Sequence, residues 1–395
     1  MRELEELARR LRRGEAVVAG VLSGTSADGI DVALARFAPA AERGDVGPPS
    51  LLAFATLPFD ASLAPRLRAL LDGRAAGPRE LALLSRDLGR AFGRAASTVA
   101  AREGVRLELV GSHGQTVWHH DGVEASGPAS LQLGELDFVA VEAGATAVGD
   151  FRQRDLAAGG EGAPLVALAD GLLFAGLPRP AAVLNLGGMA NLTVLPRAGE
   201  PLLAFDTGPA NALLDGLARR LLDLPCDRDG AAAAAGRSDP DLVAALARHP
   251  FFARPPPKST GRDTFGAAWV DSFLVRAGAR PAPDLLACGV ELVAESVAAA
   301  LDRWGPRGLA DLVVAGGGVH NRTLLAALAR RTRRRIASSA AAGVNPDARE
   351  ALAFAVLAAR AVLGVPSTDP AATGARSGHV LGKIALARCR PSSPG

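Results

Sequence analysis

The chain has 395 residues, more than one compact core usually holds, and its length therefore favours two domains. Hydrophobic residues make up 49% and charged residues 22% of the sequence, which is typical of globular proteins and excludes a disordered chain. The formal net charge of +3 is too small to predict nucleic acid as a partner.

Lysine is nearly absent from this basic chain. Lys258 and Lys383 are its only two lysines, and it contains no tyrosine. A coding bias toward Ala, Arg, Gly and Pro explains most of this pattern. Because an ammonium is compact and rotatable whereas a guanidinium is a planar fork, a lysine retained in such a chain is also a candidate functional residue.

The first predicted element is a helix over residues 1–15, where Leu4, Leu7 and Leu11 form an apolar stripe among Arg and Glu. This segment lacks the apolar stretch of a signal peptide, and no apolar run is suited to a membrane span. The three cysteines lie far apart with no CxxC spacing. We therefore expect reduced thiols, no zinc site and a cytoplasmic protein that does not bind membranes.

Two predicted hairpins open two halves of the chain. The first joins strands 16–22 and 30–37 through a polar loop, and the second joins strands 182–186 and 192–195 through a glycine-containing turn. Their recurrence after about 160 residues indicates a weak internal duplication.

Helices and short apolar strands alternate along the rest of the chain, which predicts an α/β fold. The predicted helices cover residues 81–102, 211–222, 285–304 and 321–333, and the predicted strands cover residues 107–110, 311–315 and 380–386. The predicted loops, rich in Gly and Pro, cover residues 38–49, 255–257 and 365–378.

The loop of the first hairpin, SGTSADGID at residues 23–31, gathers hydroxyls and two carboxylates around two glycines. Small residues let backbone N–H groups approach a polyphosphate, and a nearby carboxylate can hold Mg²⁺ through water. An ordinary turn stabilised by Ser or Asp is the alternative.

Two further glycine loops have the sequences NLGGMAN, at residues 185–191, and AGGGVHN, at residues 315–321. The second lies between a predicted strand and a helix, where free N–H groups and the helix dipole favour an anion. One such loop is usually a tight turn, but three in one chain are harder to explain by packing than by a nucleotide site. The sequence has neither a Walker nor a Rossmann signature, so the site would belong to neither class.

Side chains suited to a sugar lie in the segment GSHGQTVWH, at residues 111–119, which follows a predicted strand. His113 and Gln115 can donate and accept hydrogen bonds there, and Trp118 offers a flat apolar surface. A structural histidine that caps a turn is the alternative interpretation of His113.

A second polar segment, GDFRQRD at residues 149–155, precedes the glycine loop GGEGAPL at residues 159–165. Arg152 could bind a carboxylate through two hydrogen bonds, and Asp150 could bind a sugar hydroxyl. A surface ion pair beside a flexible loop is the alternative.

A single carboxylate, Asp206, ends a predicted strand just before a helix in the segment FDTGPAN, at residues 205–211. Open α/β sheets place catalytic groups beyond the carboxyl ends of their strands. A helix cap is the competing role, but Asn211 lies nearer the helix start and fits the cap better. Asp206 is therefore predicted to be catalytic.

Two charged residues have more than one interpretation. Lys258, in PPPKSTGRD at residues 255–263, is either solvated or used for phosphate contact or loop positioning. With Asn345 as N-cap and Pro346 as first helical residue, Glu350 falls just after the opening turn of a helix. It is either a carboxylate that is solvated or favoured by the helix dipole, or a ligand contact.

Taken in order, these segments resemble the anhydro-N-acetylmuramic acid kinases. The series comprises GVLSGTSADGID, GSHGQTVWH, GDFRQRDLAAGGEGAPL, NLGGMANLT, FDTGPANALLD, PPPKSTGRDTFG, VVAGGGVHN and NPDAREALAFAVLA. It runs from about residue 20 to about residue 360, which is most of the chain. The single loops are weak evidence, and their order makes the resemblance specific.

The resemblance implies two duplicated ribonuclease-H-like domains of the sugar kinase, actin and heat-shock chaperone ATPase superfamily, with an active-site cleft between them. Residues 1–150 plus about 367–395 would form the N-terminal domain, and about 151–366 the C-terminal domain. The implied enzyme uses ATP, Mg²⁺ and water to open the 1,6-anhydro bridge of anhydro-N-acetylmuramic acid and to phosphorylate O6. The products, N-acetylmuramate 6-phosphate and ADP, belong to peptidoglycan recycling, and the family suggests a homodimer.

By position, the resemblance makes Asp206 the general base that activates the water attacking the anomeric carbon. The implied ATP and phosphate contacts are Gly24, Thr25, Ser26, Ala27, Asp28, Gly29, Ile30, Asp31, Gly187, Gly188, Gly316, Gly317 and Gly318. The implied sugar contacts are Asp150, Arg152, Gln115, His113 and Glu350. No dedicated metal site is implied, and Mg²⁺ would come with ATP near Asp28 or Asp31.

The chain departs from the family pattern in two loops. LSGTSADG lacks the Met and Leu that are commoner at its first and sixth places, and Glu161 stands where a neutral Gln is usual. The alternative functions are another sugar or carboxylate kinase of the same superfamily and a non-enzymatic ATP-binding regulator. The regulator would need a DNA-reading or peptide-binding module, and the sequence shows none.

Overall fold

The computed structural model describes residues 2–24, 27, 29–40, 44–120, 127–198 and 200–387. Its strands are β1 (Val18–Ser23), β2 (Ile30–Pro39), β3 (Val46–Leu57), β4 (Leu109–His120), β5 (Ala129–Leu133), β6 (Thr146–Gly149), β7 (Ala181–Leu186), β8 (Met189–Leu195), β9 (Leu203–Pro209), β10 (Asp311–Ala315), β11 (Arg335–Ser338) and β12 (Lys383–Ala385). They form two sheets, so the predicted α/β class is confirmed.

Helices surround both sheets. They are α1 (Arg2–Arg12), α2 (Leu63–Leu71), α3 (Pro78–Arg102), α4 (Leu136–Ala143), α5 (Phe151–Ala157), α6 (Ala167–Leu173), α7 (Asn211–Leu222), α8 (Ala231–Ala235), α9 (Pro240–Leu246), α10 (Pro250–Ala253), α11 (Arg262–Phe265), α12 (Ala267–Ala277), α13 (Ala282–Trp304), α14 (Arg322–Thr332), α15 (Arg349–Leu363) and α16 (Pro370–Thr373). Short 3₁₀ helices cover Arg228–Gly230, Gly317–His320 and Ser339–Ala342. Of the helices described, none combines the length and the apolar character that a bilayer span requires.

The two sheets have the same order of principal strands. The first sheet runs β12-β6-β4-β1-β2-β3, with β5 paired to β4, and the second runs β11-β10-β7-β8-β9. In each sheet, three consecutive strands form an antiparallel meander, β1 to β3 or β7 to β9. The first strand of each meander also begins a parallel series, β1-β4-β6 or β7-β10-β11. The carboxyl ends of each parallel series therefore meet at one edge of the sheet.

Apolar clusters divide the helices into three layers. Helices α2, α3 and α4 pack on the outer face of the first sheet, and α7, α13 and α14 pack on one face of the second. A third cluster joins α6 and α15 to residues of both sheets, including Leu22 and Val183. Helix α15 therefore lies in the layer between the sheets.

Two glycines let α15 approach the first sheet closely. A Cβ added at Gly20 of β1 would lie 1.7 Å from the carbonyl oxygen of Ala351, and one at Gly111 of β4 would lie 2.2 Å from that of Phe354. No side chain fits in such a space, so glycine is required at both positions. The alanine-rich sequence of α15 matches this close packing.

Most predicted elements are found, including both antiparallel hairpins and the helix at the N-terminus, where Leu7 and Leu11 are buried. The loop predicted over residues 38–49 is partly wrong, because β2 reaches Pro39 and β3 starts at Val46. Pro48 and Pro49 lie in the edge strand β3, where a missing N–H is tolerated, and Pro39 is the last residue of β2.

Other boundaries also differ from the prediction. Strand β4 continues ten residues past the predicted end, so GSHGQTVWH lies within a strand rather than after one. Gly114, with φ +75°, bends β4 at the register shift, and β5 pairs with the extension. The predicted loop 365–378 contains the short helix α16, and the return strand covers only Lys383–Ala385.

Candidate active site

The parallel strands of the first sheet bring three polar segments to one edge. Ser23, the last residue of β1, is in register with Gln115 of β4, and Ser112 of β4 is in register with Gly149, the last residue of β6. Asp150 follows directly and leads into α5. The hairpin loop, the His113 segment and the GDFR segment, which are distant in the sequence, are therefore neighbours in the fold.

Arg152 binds neutral partners at this edge. Its Nη1 donates to the carbonyl of Gly162 at 2.8 Å, and its Nη2 donates to His113 Nε2 at 3.1 Å. Burial, with the nearby guanidinium, holds the pKa of His113 well below its usual range, so the imidazole is neutral and can accept this bond. The His113 ring also stacks on Phe354, with 4.5 Å between ring centroids. Arg152 thus ties the glycine loop to the first sheet, and the surface ion pair interpretation is wrong.

Asp150 lies in a conformation that only a few residue types adopt. Its φ of 56° and ψ of 43° are left-handed, and its side chain makes no capping bond to α5. Instead the carboxylate forms a salt bridge with Lys383 of β12. A strained backbone of this kind persists where the surroundings hold it, often at functional sites. Lys383, one of the two lysines, therefore pairs with Asp150, which is predicted to contact the sugar.

Gln115 connects β4 to the first loop. Its Nε2 donates to the carbonyls of Gly24 and Thr116, each at 3.2 Å, and its side chain is fully buried. The Gln115 amide nitrogen therefore supports the loop, and only its Oε1 remains for a sugar.

The first loop itself is described in part. Thr25, Ser26 and Asp28 lie outside the described residues. The N–H of Ala27 donates to the Gly24 carbonyl at 3.1 Å, which closes a tight turn. The other predicted contacts in this loop are Gly29, Ile30, whose side chain is in the core, and Asp31, which accepts a 2.6 Å hydrogen bond from Thr56.

Asp206 lies in the meander of the second sheet, in register with Asn191 of β8. Its Oδ1 accepts from Asn191 Nδ2 at 2.9 Å, and its Oδ2 accepts from the backbone N–H of Thr260 at 2.8 Å. Burial raises the pKa of Asp206 to about 6, while these two hydrogen bonds and the charges of Arg152 and Lys258 act in the opposite direction. A carboxylate with this pKa is ionised near neutral pH and can still accept a proton.

Neither Asp206 nor Asn211 caps α7. Asn211 is the first helical residue, and its Nδ2 donates to the carbonyl of Leu186 at 3.0 Å, so its prediction as N-cap is wrong. The residue at the cap position, Ala210, has no side chain that could cap. The Asn211 amide instead fastens the helix to the last residue of β7.

The glycine loops after β7 and β10 lie against each other. A Cβ at Gly316, where φ is +80°, would lie 2.7 Å from Asn185 Oδ1, and a Cβ at Gly318 would lie 2.4 Å from the Cβ of Leu186. By contrast, the nearest atoms to a Cβ at Gly187 and Gly317 are 3.5 and 3.9 Å away. The loops therefore pack too tightly for a side chain at Gly316 and Gly318, whereas Gly187 and Gly317 are less crowded.

The Gly188 carbonyl anchors this arrangement to α7. It accepts from the N–H groups of Ala210 at 2.9 Å and Ala212 at 3.0 Å. The two glycine loops and the start of α7 thus form one backbone-rich surface at the carboxyl ends of β7 and β10, which can receive an anionic ligand.

Glu350 lies in the first turn of α15, and the predicted start of this helix is wrong. The Asn345 side chain accepts from the N–H groups of Asp347 and Ala348, which makes a separate turn, and α15 starts at Arg349. Burial raises the pKa of Glu350, the charge of Arg349 opposes this effect, and the smaller effects of Asp31 and Arg152 raise and lower it respectively. Glu350 therefore lies among charged site residues and is not simply solvated.

Lys258 is also not solvated. Only 1% of it is exposed, and its Nζ donates to the carbonyl of Phe251 at 3.2 Å. The solvated interpretation is wrong because the side chain turns into a pocket of aromatic rings. Of the roles that the sequence left open, loop positioning fits this geometry.

Glu161 connects the glycine loop to the segment that carries Lys258. Its Oε2 accepts from Ser259 Oγ at 3.0 Å, and its Oε1 lies 3.6 Å from Arg254 Nη2. The unusual negative charge is therefore paired with an arginine of the same chain.

Buried polar atoms without a hydrogen-bond partner are concentrated around these loops. In the described part of the chain they include Ser23 Oγ, Ser112 Oγ, His113 Nδ1, Gln115 Oε1, Arg152 Nε, Asn191 Oδ1 and Thr260 Oγ1. Buried polar groups in proteins almost always have partners. So many unpaired atoms in one region indicate a site that a polar ligand completes.

The sequence assigned no role to Asn191, Ser112 or Thr260. Asn191 and Thr260 reach Asp206 only through strand register and a distant loop, so no local signal marks them. The signal that could have found Thr260 is its place beside Lys258, a rare residue in this chain.

A family model and three relatives that match most of this chain share one description. A family model described as anhydro-N-acetylmuramic acid kinase matches residues 16–387. The anhydro-N-acetylmuramic acid kinase of Xanthomonas campestris pv. campestris (strain 8004) is 43% identical over 373 residues, which cover 92% of this chain and 96% of the relative. That of Salinibacter ruber is 41% identical over 389 residues, covering 95% and 97%.

A third relative and one solved structure complete the comparison. The anhydro-N-acetylmuramic acid kinase of Gloeobacter violaceus is 40% identical over 372 residues, covering 92% of this chain and 97% of the relative. A ROK family glucokinase from Streptomyces griseus superposes loosely, with a TM-score of 0.34 and 14% identity over 86% of this chain and 98% of that chain.

Proposed function

This chain belongs to the anhydro-N-acetylmuramic acid kinase family, and we propose that it performs the reaction of that family with Asp206 as its general base. The enzyme opens the 1,6-anhydro bridge of anhydro-N-acetylmuramic acid and phosphorylates O6 with ATP, for peptidoglycan recycling. The observation that carries the assignment is a buried, hydrogen-bonded carboxylate whose pKa is about 6, at a site rich in unpaired polar atoms.

In the proposed mechanism, Asp206 removes a proton from a water molecule as the water oxygen bonds to the anomeric carbon. The bond between that carbon and O6 breaks, and O6 takes the γ-phosphoryl group from ATP. Thus one carboxylate acting on water can drive both bridge opening and phosphoryl transfer. Asn191 and the Thr260 N–H hold the two oxygens of Asp206, which orients the base.

Most of the proposed sugar contacts come from the edge of the first sheet at which the carboxyl ends of β1, β4 and β6 meet, which we call the first edge. Arg152 would bind the lactyl carboxylate, since its Nε is buried and unpaired while its other nitrogens hold Gly162 and His113. Asp150, fixed by Lys383, would accept from a sugar hydroxyl. His113, Gln115 and Glu350 would contact the rest of the sugar, and His113 and Gln115 each carry a buried atom without a partner.

The proposed ATP contacts are the glycine loops. Gly187 and Gly317 are the less crowded positions of these loops, and Gly188, Gly316 and Gly318 hold the loops together. The first loop, Gly24 to Asp31, would contact the phosphates from the other sheet. Phosphoryl transfer depends mainly on positioning and charge neutralisation, which backbone N–H groups and a metal can supply.

Mg²⁺ would be held mainly by the ATP phosphates, with Asp31 and Asp28 near it. The carboxylate of Asp31 lies close enough to affect the pKa of Glu350, and carboxylate oxygens suit Mg²⁺. In the described part of the chain, His, Cys, Asp and Glu side chains form no cluster of three or more able to hold a metal. When bound with ATP, the ion would neutralise charge on the transferred phosphoryl group.

We also propose two duplicated ribonuclease-H-like domains, residues 1–150 with about 367–395 and about 151–366, around the cleft. The common strand order of the two sheets supports this division. A homodimer and a cytoplasmic location are proposed from the family alone.

The test is product analysis after incubation with Mg-ATP and the anhydro sugar in ¹⁸O-water. Mass spectrometry should find one heavy oxygen at the anomeric hydroxyl and phosphate on O6. Phosphorylation with the bridge intact would instead indicate another sugar kinase of this superfamily, and no sugar product would contradict the assignment.

A further inference from the structure

We propose that Lys258 is a positioning residue that keeps Asp206 charged and holds the 258–260 segment against it. This inference rests on the proposed role of Asp206 as general base. No ligand needs to contact Lys258 for it to act in this way.

The 258–260 segment binds Asp206 at two points. The backbone N–H of Asp206 donates to the Lys258 carbonyl at 3.1 Å, and the backbone N–H of Thr260 donates to Asp206 Oδ2 at 2.8 Å. The position of the carboxylate therefore depends on where this short segment lies.

The Lys258 side chain anchors the segment from behind. Its Nζ lies 4.6 Å from the ring centroids of Phe251 and Trp304 and 5.8 Å from that of Phe205, the residue before Asp206. It also donates to the carbonyls of Phe251 and Phe252 at 3.2 and 3.5 Å. Cations over aromatic faces are attracted to them, more strongly when they are desolvated.

The ammonium has no ion-pair partner among the described residues, although it is buried. An unpaired buried charge is costly, and an apolar side chain would fill this aromatic pocket without that cost. The retention of a charge here therefore points to an effect on a neighbouring group.

Asp206 is that neighbour. The cations that act on Asp206 are Arg152 and Lys258, and the charges that act on Lys258 are those of Asp206, Arg254 and Arg303. Burial lowers the pKa of Lys258 to about 8, so it is largely charged at neutral pH. Its charge opposes the effect of burial on Asp206, and its loss would raise the pKa of Asp206 further.

Arginine would not replace this lysine. The pocket offers two carbonyl acceptors and three ring faces, which suit a compact ammonium. A guanidinium has five N–H donors in a rigid plane and would leave some of them unsatisfied. This explains why a lysine stands at this position in a chain whose other cations are nearly all arginines.

The test is Lys258→Met, with kcat/KM for the anhydro sugar measured from pH 5 to pH 9. In the unmodified enzyme the rate should fall below pH 6, where Asp206 becomes protonated. The variant's loss of activity should be about 2.5- to 7-fold greater at pH 5.5 than at pH 8. The reason is that the acid limb of the pH profile, where Asp206 is protonated, moves up by about half to one pH unit.

Arg303→Met is the matched control. It removes a cation 5.4 Å from the same Trp304 ring but leaves Lys258 in place. Its acid limb should stay where it is. Melting temperatures of both variants report any loss of folding. An equal loss of activity at every pH for Lys258→Met would indicate a merely structural lysine and would overturn the proposal.

Lys258→Arg tests whether Lys258 positions the 258–260 segment. It also tests the proposal if Lys258→Met does not fold. It should keep the acid limb and lower kcat by about tenfold or more, because the larger head displaces Thr260. A normal kcat would contradict the positioning role. Asp206→Asn distinguishes a failure of the proposed function from a failure of the Lys258 proposal. A near-normal rate in that variant refutes Asp206 as the general base.

Discussion

The first and second sheets have the same order of principal strands, yet the ends of their parallel strands present different chemistry. The first edge presents side chains, among them His113, Gln115 and Arg152, several with unpaired buried atoms. The corresponding edge of the second sheet, the second edge, lies at the carboxyl ends of β7 and β10 and presents the backbone of the glycine loops around Gly187 and Gly317. The strand order determines where a site forms, and the loops that follow the strands determine what it binds.

The catalytic candidate belongs to neither parallel series. Asp206 lies in the antiparallel meander of the second sheet, but the charge of Arg152 from the first edge acts on it. We therefore expect substitutions in the His113 and GDFR segments of the first edge to affect the sugar, and those at the second edge to affect ATP. Substitution of Asp206 should affect turnover alone.

The largest effect is expected from Asp206→Asn. The amide has the same shape but cannot accept a proton from water, so kcat should fall by about 1,000-fold or more, while the Kd for ATP stays within about twofold. Steady-state kinetics measure kcat, and a nucleotide-binding assay measures the Kd for ATP. The control Asp263→Asn changes an exposed carboxylate three residues after Thr260 and should leave kcat unchanged. A near-normal rate for Asp206→Asn would refute the assignment of the base.

A smaller effect, specific to the first edge, is expected from Arg152→Gln. Losing the cation and its bonds to Gly162 and His113 should raise KM for the sugar by about 30- to 100-fold, because charge-assisted hydrogen bonds are the stronger ones. The KM for ATP should change by less than about twofold if the two edges act separately. Arg154→Gln, at an exposed position of the same helix, is the control. Equal rises in both KM values would contradict the division of the edges.

The smallest effect is expected from Gly316→Ala at the second edge. The methyl group would lie 2.7 Å from Asn185 Oδ1 at a φ of +80°, so the loop must shift. The KM for ATP should rise by about 5- to 10-fold while that for the sugar stays unchanged. Gly343→Ala has a similar φ of +78° with open space around it, and it isolates the backbone strain. If Gly343→Ala raises KM for ATP as much, the packing of the glycine loops is not the cause.

Elements with a strong local pattern could be predicted from the sequence. The helix Asn211–Leu222 and the strand Asp311–Ala315 both have the predicted bounds. Elements that depend on a distant partner could not. Strand β4 extends to His120 because β5 pairs with it, and the edge position of β3 accommodates prolines that predicted a loop.

The sequence by itself determined the α/β class, the two hairpins, the three glycine loops and, through the order of its segments, the family. These properties depend on residue types within short stretches, which a pattern records directly. Only the tertiary structure decided that Asn191 and Thr260 hold Asp206 and that Lys383 pairs with Asp150. It also decided that Lys258 is buried among aromatic rings. These contacts join residues far apart in the chain, and strand register and packing between layers bring them together.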